Sequence, residues 1–281
     1  MRILITGGKG MLGRTLQRVL AAHELCVADL PEVNIADPAA LHACASQFRP
    51  DVIIHGAAMT TVDACENNPD LAYQVNAAGS AVVARAAAQV RARLIALSTD
   101  YVFDGALDRP YHEWDVPSPR TVYGASKRAG EIAIQNLCPD HLIIRIAWLY
   151  GAGGPSFLHT MLKLGAVPGE PLKVVNDQTG NPTSTDAVAR LIERLLDVPV
   201  GGILHGSCEG KATWYDFAKA IFMIQPGRRE LVPCTTAEFP RPAPRPVNSC
   251  LEKRLLRLLG LPPMPEWRET LDRFFIDNHE I

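Results

Sequence analysis

Short apolar runs alternate with longer amphipathic or alanine-rich segments through the first half of the chain. The apolar runs predict strands at 2–6, 25–29, 52–55, 93–98 and 142–147. The segments between them predict helices at 12–22, 38–48, 71–90 and 123–136. Nearly continuous apolar strands that alternate with helices are typical of a parallel sheet covered on both faces. We therefore predict an α/β fold with a doubly wound parallel sheet of the Rossmann type.

Beyond Gly151 the pattern loosens. Proline-rich stretches at 168–171 and 240–246 separate shorter helices, and one of these helices begins at Thr213 with Asp216 placed to complete a capping box. We predict two units. Residues 1–150 form a dinucleotide-binding domain, and residues 151–281 form a smaller C-terminal α/β lobe that mainly binds substrate, with segments free to cross over between them.

Composition narrows the class of protein. The 281 residues are 47% apolar and 21% charged, which is ordinary for a folded domain. Because 28 basic residues face 30 acidic ones, the chain lacks the positive charge that nucleic acid or an anionic membrane would attract. The first predicted strand leaves no room for a signal peptide, and no apolar run reaches the roughly 18 residues of a membrane span. Seven scattered cysteines fit reduced thiols, so we expect a cytoplasmic protein.

A glycine-rich turn joins the first predicted strand to the first predicted helix. Gly7, Gly10 and Gly13 allow a tight turn and let backbone amides approach a pyrophosphate, which the helix N-terminus then faces. Met11 and Leu12 lie inside this turn and would share the contact. The strand before the turn and the helix after it make the pattern far more specific than three glycines alone. It predicts a site for NADP(H) or NAD(H).

The sequence leaves the choice between these two cofactors open. Asp29, at the end of the second predicted strand, can accept hydrogen bonds from the adenosine ribose and would repel a 2′-phosphate. Lys9 and Arg14 could instead neutralise that phosphate. Ala57 and Ala58 follow the third strand, where small side chains would let the cofactor lie across the sheet edge.

Three further residues fit the chemistry of ketone reduction. Tyr123 can give a proton to the developing alkoxide, and Thr99 can donate a hydrogen bond to the same oxygen. Lys127, one helical turn after Tyr123, would favour the phenolate and could also hold the nicotinamide ribose. The alternative is a solvent-facing tyrosine and lysine on an amphipathic helix. The sequence has no Gly-x-Ser-x-Gly elbow, which argues against a serine hydrolase, and its dispersed histidines argue against a metal enzyme. We interpret His55, at the end of a strand, as a packed core residue.

Longer blocks of sequence resemble the dTDP-4-dehydrorhamnose reductase family of extended short-chain dehydrogenases/reductases. The resemblance runs nearly end to end and is carried by the blocks at 62–66, 98–105, 123–127, 145–151, 176–183 and 245–249. It implies that NADPH or NADH reduces the C4 ketone of dTDP-4-dehydro-L-rhamnose (dTDP-6-deoxy-L-lyxo-4-hexulose) to dTDP-L-rhamnose. It also implies catalytic positions at Thr99, Tyr123 and Lys127, and substrate contacts at Thr99, Asp100, Trp148, Asn176, Gln178 and Arg245.

The sequence also departs from the family pattern. Met59 stands where relatives often carry histidine or tyrosine, Ala147 replaces a common serine, and Gly154 to Phe157 lacks a usual asparagine. The alternatives are therefore a reductase of another nucleotide-linked keto-6-deoxy sugar, and a non-catalytic NADP-binding regulatory subunit on the same scaffold. We expect a nucleotide sugar as the small-molecule partner and a homodimer. A divalent ion such as Mg²⁺ is compatible with the sequence, although nothing in it indicates one.

Overall fold

A computed structural model describes residues 1–278 and shows a central sheet of parallel strands between two layers of helices. The strands are β1 Arg2–Thr6, β2 Glu24–Ala28, β3 Val52–His55, β4 Arg93–Thr99, β5 His141–Ile146, β6 Leu149–Tyr150, β7 Leu172–Val175, β8 Thr179–Gly180, β9 Thr183–Ser184, β10 Gly202–His205, β11 Ala212–Thr213 and β12 Leu231–Cys234. The helices are α1 Met11–Val19, α2 Pro38–Phe48, α3 Val62–Asn67, α4 Pro69–Tyr73, α5 Ser80–Val90, α6 Val122–Leu137, α7 Phe157–Gly165, α8 Thr185–Leu195, α9 Trp214–Ile224, α10 Arg254–Leu258 and α11 Trp267–Asp277.

The strand order of the central sheet is β2-β1-β3-β4-β5-β10, and every neighbouring pair is parallel. The doubly wound α/β fold is thereby confirmed, as are all five predicted strands to within one or two residues. The register pairs Thr6 with His55 and Thr99 with Ile146. Because the strands are parallel, their carboxyl ends meet at one edge of the sheet, where ligands bind in such folds.

Alternate residues of each strand enter different cores. On β1, Ile5 packs toward α1 and α8 together with Leu16, whereas Leu4 packs toward α2 and α5 together with Leu41 and Val83. All five side chains are fully buried. Burying an aliphatic side chain of this size stabilises the fold by roughly 1.5–3 kcal/mol, so both helical layers contribute to holding the sheet in place.

The helices agree with the sequence except in one region. Helix α2 has its predicted bounds, and Asp37 caps it by accepting hydrogen bonds from the amides of Ala39 and Ala40. The helix predicted over 71–90 is instead α4 and α5 joined by a π-helical turn, Gln74–Gly79. Such turns widen a helix locally and are frequent at functional sites.

The second half of the chain contributes to both parts of the molecule. The small strand pairs β7 with β12, β8 with β11 and β6 with β9 lie outside the central sheet. The segment 185–205 crosses back: α8 packs on α1, with Thr15 donating to Thr185 at 2.9 Å, and β10 completes the sheet. The sheet therefore does not end at residue 150, and the two-domain division stays a prediction with 185–205 as the crossing segment. Residues 279–281 of the predicted lobe lie outside the described residues.

Within residues 1–278, no helix combines the length and the apolar character needed to cross a membrane.

Candidate active site

A cavity of about 800 Å³ opens at the carboxyl edge of the sheet. The predicted site residues that line it are Gly7, Gly10, Met11, Leu12, Gly13, Asp29, Ala57, Ala58, Thr99, Asp100, Tyr123, Lys127, Trp148 and Arg245. The structure thus brings the glycine turn and the three candidate catalytic residues to one enclosed space. Pockets of this size commonly hold small ligands and cofactors.

Two residues predicted to contact substrate, Asn176 and Gln178, are not among the residues that line the cavity. Gln178 accepts a hydrogen bond from Trp214 Nε1 at 3.1 Å and donates to Thr236 at 2.9 Å. Asn176 accepts from Thr213 Oγ1 at 2.8 Å. Gln178 therefore supports the Trp214 ring, and the exposed Asn176 is bonded to Thr213, the residue before that tryptophan. A direct contact with substrate stays a prediction for both.

The glycine turn has the form that a dinucleotide requires. Gly7 has φ +72°, and a Cβ there would lie 2.6 Å from the amide nitrogen of Ala57, so only glycine fits between the two strand ends. Helix α1 begins directly after Gly10, without a side-chain cap and without an acidic residue in its first turn. Its first amides have no partner inside the helix and favour an anion. These residues fit the pyrophosphate of a nicotinamide dinucleotide.

The adenosine end of the cavity is bounded by the loop after β2. Asp29 Oδ2 accepts from the Lys9 amide and its Oδ1 from the Leu30 amide, both at 2.8 Å. Lys9 Nζ lies 2.7 Å from Glu32 Oε2 and also donates to the Leu30 carbonyl. Arg14 Nε donates to the Lys9 carbonyl oxygen at 2.8 Å. Of the two basic side chains predicted near a 2′-phosphate, Lys9 is the one on the cavity wall.

The ends of β4 and α6 bring the candidate catalytic residues together. Thr99 is the last residue of β4, and Tyr123 is the second residue of α6, which Thr121 caps by accepting from the Gly124 amide at 3.0 Å. A Cβ on Gly124 would collide with the Tyr101 carbonyl, so glycine lets α6 approach the turn after β4 closely. Thr99, Tyr123 and Lys127 are all buried and all line the cavity.

The electrostatics of the tyrosine and lysine differ from the sequence prediction. Burial raises the pKa of the Tyr123 phenol, and a hydrogen bond with Thr99 offsets this only partly. Lys127 Nζ donates to the Leu97 carbonyl oxygen at 2.8 Å, and burial lowers its own pKa to about 8 against the opposing charge of Glu131. Burial therefore outweighs the lowering of the Tyr123 pKa that the sequence attributes to Lys127. The Tyr123 phenol is therefore protonated at neutral pH.

A buried ion pair that the sequence analysis does not predict fixes the back of α6. Glu131 accepts from Arg145 Nε and Nη2, each at 2.8 Å, and from Ser98 Oγ at 2.6 Å. Burial raises the pKa of Glu131, but the hydrogen bonds and charge of Arg145 outweigh it and hold that pKa below its usual value. The pair ties α6 to β4 and β5. Arg145, a lone charge in an apolar strand, is the signal from which an acidic partner could have been predicted.

Polar side chains beneath the cavity form a continuous chain from the glycine turn toward α6. Thr6 Oγ1 lies 2.7 Å from His55 Nδ1, and His55 Nε2 lies 3.1 Å from Ser80 Oγ. Since Ser80 donates its hydroxyl hydrogen to the Asn76 carbonyl, His55 must be the Nε2–H tautomer and must accept from Thr6. Burial and the charge of Lys127 lower the pKa of His55 to about 3, which keeps it neutral. The prediction of a packed core histidine is confirmed.

Asn76, in the π-helical turn, connects this chain to the catalytic helix. Its Oδ1 accepts from the Met59 amide at 2.8 Å, and its Nδ2 donates to the Met59 carbonyl at 3.1 Å and to Ser126 Oγ at 3.0 Å. Ser126 donates in turn to the Tyr123 carbonyl at 2.9 Å. Asn76 is buried, and all its polar atoms that can pair are paired. It holds the end of β3 and the first turn of α6 in fixed positions.

Aromatic side chains form the wall opposite the glycine turn. Trp148 and Trp214 stack face to face, with ring centroids 3.4 Å apart and an interplanar angle of 4°, and Phe157 lies 4.6 Å from Trp214. Trp148 has φ +47°, a conformation rare for a large residue, and its Nε1 donates to Ser249 Oγ at 3.0 Å. The sequence analysis does not predict Trp214 as a site residue, although its position at the start of a helix capped by Thr213 could have indicated it.

Two charged residues complete the wall. Asp100 Oδ1 accepts from Thr99 Oγ1 at 2.9 Å, whereas its buried Oδ2 has no hydrogen-bond partner within residues 1–278. Burial raises the pKa of Asp100 to about 7. Arg245 reaches the cavity as predicted, and its Nη2 lies 3.0 Å from Asp63 Oδ1. The described part of the chain contains no cluster of three or more histidine, cysteine, aspartate or glutamate side chains able to hold a metal ion.

Comparison with known proteins agrees with this geometry. The model of the family described as RmlD substrate binding domain matches residues 1–279. A dTDP-4-dehydrorhamnose reductase of Streptomyces griseus is 41% identical, over 98% of this chain and 93% of its own length. A probable dTDP-4,6-dihydroxy-2-methyloxan-3-one 4-ketoreductase of Streptomyces antibioticus is 42% identical, over 99% and 95%.

Solved structures give the same result. The crystal structure of a dTDP-4-dehydrorhamnose reductase from Clostridium acetobutylicum is similar with a TM-score of 0.96 and 42% identity, covering 100% of both chains. That of the reductase from Bacillus anthracis, in complex with NADP, has a TM-score of 0.95 and 39% identity, covering 98% of this chain and 99% of its own. With family model, relatives and fold in agreement over nearly the whole length, this chain belongs to the RmlD substrate binding domain family, which includes the dTDP-4-dehydrorhamnose reductases.

Proposed function

We propose that this chain is an NAD(P)H-dependent sugar-nucleotide 4-ketoreductase that reduces the C4 ketone of dTDP-4-dehydro-L-rhamnose to dTDP-L-rhamnose. The observation that carries the proposal is the convergence of Thr99, Tyr123 and Lys127 on the cavity whose other end is the glycine turn. A hydride acceptor placed between them would meet both a proton donor and a cofactor. The names of the relatives support the same substrate class.

A nicotinamide cofactor, NADP(H) or NAD(H), supplies a hydride when bound. Gly10, Gly13 and the first amides of α1 would hold its pyrophosphate, and Asp29 its adenosine ribose. Ala57 and Ala58 leave room for it along the edge of the sheet. Residues 1–150 would thus form the dinucleotide-binding unit, joined by the crossing segment, and residues 151–281 would mainly form the substrate lobe.

Proton transfer in this proposal falls to Tyr123. As the new C–H bond forms at C4, the carbonyl π electrons move to oxygen, and Tyr123 Oη gives that oxygen its proton. Thr99 Oγ1, whose hydrogen is bonded to Asp100 before substrate binds, would turn that hydrogen to the same oxygen and keep the carbonyl in line. The raised pKa of Tyr123 suits this direction, because the phenol remains protonated until negative charge develops on the ketone. The ammonium of Lys127 would hold the nicotinamide ribose and favour the resulting phenolate.

The substrate would lie along the wall formed by Trp148 and Trp214. Flat apolar faces of this kind suit the rings of a sugar nucleotide, and Asp100 stands beside Thr99 where a sugar hydroxyl would be placed. Arg245 would turn its guanidinium to the diphosphate, which needs a fixed cation. Its pairing with Asp63 keeps that guanidinium at the cavity mouth before substrate arrives.

A second keto sugar is a specific alternative. The relative from Streptomyces antibioticus is named for a different dTDP-linked keto sugar, and its identity to this chain is as high as that of the rhamnose enzymes. The chain also departs from the family pattern at Met59 and Ala147, which are next to lining residues in sequence but are not on the cavity wall themselves. The catalytic groups would act in the same way on either substrate.

We further propose a cytoplasmic homodimer. All seven cysteines are free thiols, which suits a reducing compartment. Leu71 and Tyr73 are both exposed on α4, the part of the chain where we place the contact between subunits. Sedimentation equilibrium would return twice the chain mass. A single-chain mass at micromolar concentration would contradict the dimer.

The function is tested by mixing the protein with dTDP-4-dehydro-L-rhamnose and following NADPH and NADH absorbance in separate cuvettes. We expect oxidation of at least one cofactor, with dTDP-L-rhamnose identified by NMR. Tyr123→Phe should reduce kcat at least a hundredfold, because the phenol is the proton donor. Tyr73→Phe removes the same hydroxyl at an exposed site and should leave kcat unchanged. If NADPH or NADH is oxidised only with another keto sugar nucleotide, that sugar is the substrate. If the cofactor binds but is not oxidised with any keto sugar nucleotide, the result favours a regulatory subunit.

A further inference from the structure

The loop after β2 places an ion pair at the adenosine end of the cavity. Lys9 is in the glycine turn, and its amide is bonded to the carboxylate of Asp29, the residue positioned to meet the adenosine ribose. The ammonium of Lys9 is 2.7 Å from the Glu32 carboxylate and also donates to the Leu30 carbonyl. Lys9, Asp29 and Leu30 all line the cavity. The cation on the cavity wall beside Asp29, which would meet the adenosine ribose, is therefore already paired with an acid.

NADPH differs from NADH only in its 2′-phosphate, which needs a nearby cation to offset its charge. The other basic candidate, Arg14, donates to the backbone of the turn, and its aliphatic part lies against Gly153. Lys9 is thus the side chain that can meet the phosphate. Two of its three N–H donors are already bonded to Glu32 and Leu30, so a 2′-phosphate must compete with Glu32 for the same charge.

We propose that Glu32 sets the choice between NADH and NADPH by holding and neutralising Lys9. While Glu32 engages the ammonium, Lys9 adds little attraction for a 2′-phosphate, and Asp29 favours the free ribose hydroxyl of NADH. Without Glu32, Lys9 turns to the phosphate and NADPH is preferred. This inference rests on the dinucleotide site of the proposed function, and it does not depend on which sugar is reduced.

The size of the effect follows from exposure. The Lys9 and Glu32 side chains are 51% and 67% exposed, so water and salt screen their interaction. Exposed pairs of this kind have a modest strength. We therefore expect a change in cofactor preference of about three- to tenfold, which should shrink as salt is added.

The test measures binding and needs no turnover. Dissociation constants for NADPH, NADH, adenosine 2′,5′-bisphosphate and AMP are determined by calorimetry for the wild type, Glu32→Gln, Lys9→Met and the double variant. Glu32→Gln should tighten NADPH and the bisphosphate about three- to tenfold and change NADH and AMP less than twofold. Lys9→Met should weaken NADPH, because it leaves the Glu32 carboxylate without its partner. Adding Glu32→Gln to Lys9→Met should then tighten NADPH less than Glu32→Gln does in the wild type, because it removes that carboxylate but frees no ammonium.

A matched control is Glu24→Gln. Glu24 forms an exposed pair with Arg2 at 3.4 Å, at the other end of β2, and its replacement should leave all four affinities unchanged. The inference is overturned if Glu32→Gln changes NADPH and NADH equally, or if it tightens NADPH by as much when Lys9 is methionine as it does in the wild type. It is also overturned if neither dinucleotide binds. If the selectivity changes as expected but no keto sugar is reduced, the inference stands and the proposed function fails.

Discussion

Tyr123 and Lys127 lie one helical turn apart, as the sequence predicts, yet burial affects them in opposite ways. It raises the pKa of the phenol and lowers that of the ammonium to about 8. In both residues burial favours the uncharged form, because charge is costly to desolvate. The spacing of the two residues is readable from sequence, whereas the depth of the pocket that sets their pKa values is not.

The first residue-scale prediction concerns the pH dependence of activity. The Lys127 ammonium is lost as pH rises through about 8, so kcat/KM should fall above that pH. Lys127→Arg keeps a charge at every accessible pH, and its residual activity should show no such alkaline decline. Rates are measured from pH 6 to 10 at constant ionic strength. A wild-type profile that stays flat to pH 10 would contradict the role of this ammonium.

The second residue-scale prediction concerns Asp100. The folded protein binds a proton there up to about pH 7, whereas the unfolded chain releases it near pH 4, so this residue makes stability fall as pH rises through that window. Asp100→Asn carries no charge. Its unfolding free energy relative to wild type should therefore rise by about 2 to 4 kcal/mol between pH 4 and pH 8.

Urea denaturation at the two pH values measures this difference. Asp108→Asn replaces an exposed aspartate in the segment that follows Asp100 and serves as the control. Its unfolding free energy relative to wild type should change by less than about 0.5 kcal/mol between the two pH values. A constant difference for Asp100→Asn would mean that Asp100 is charged at neutral pH in the folded protein.

At the scale of elements, the π-helical turn Gln74–Gly79 links the two ends of the site. It carries Asn76, which bonds to both backbone groups of Met59 and to Ser126 of α6. A run of alanine-rich sequence gives the same periodic signal for a regular helix as for one with this extra residue per turn. The position of α6 relative to β3 is therefore set by tertiary hydrogen bonds that no local pattern reveals.

The element-scale prediction is that Asn76→Ala destabilises the protein by about 2 to 4 kcal/mol, since it leaves the Met59 amide without its partner and removes one bond each from the Met59 carbonyl and Ser126. Loss of the link to α6 should also lower kcat more than it changes cofactor affinity. Asn68→Ala is the control, because Asn68 makes a longer, exposed bond of 3.3 Å to Ala64. Equal losses of stability in the two variants would show that the hydrogen bonds of Asn76 have no special importance for the fold.

Other elements show where sequence reasoning succeeds and where it stops. Strands β1, β3 and β4 are predictable because their apolar runs are bounded by polar residues, and α2 because Asp37 and Pro38 mark its start. Strand β10 is missed because Gly202–His205 offers too short an apolar run. The glycine turn and the Tyr123 region are readable because they are local, whereas the contact of Trp148 with Trp214 joins distant parts of the chain.

At the scale of the whole molecule, one apolar core crosses the predicted boundary at residue 150. Leu12 and Leu16 of α1 share a cluster with Leu191 of α8 and with Phe217 and Trp267 of the C-terminal lobe. Neither half can retain that core alone. The cavity is likewise shared, because its nucleotide end lies in the first half and Trp214 and Arg245 lie in the second.

The whole-molecule prediction follows from this shared core. Calorimetric unfolding should show one transition, with the van't Hoff enthalpy close to the calorimetric value, because the two halves lose their common core together. Two separate transitions would show instead that the division at residue 150 marks independent folding units. Leu191→Ala should lower the midpoint of that single transition without splitting it, since Leu191 is fully packed in the shared cluster.

The position of β10 has a consequence for synthesis on the ribosome. Strand β5 emerges early and has β4 on one side, but the amides and carbonyls of its other edge find their partner only when residues 202–205 follow. Until then the nascent sheet presents an apolar, unpaired edge to neighbouring chains. In domains of this length, strands that pair with residues far away in the sequence remain unpaired for the longest time during folding. Newly made chains are thus most prone to self-association, and most in need of a chaperone, in the interval between β5 and β10.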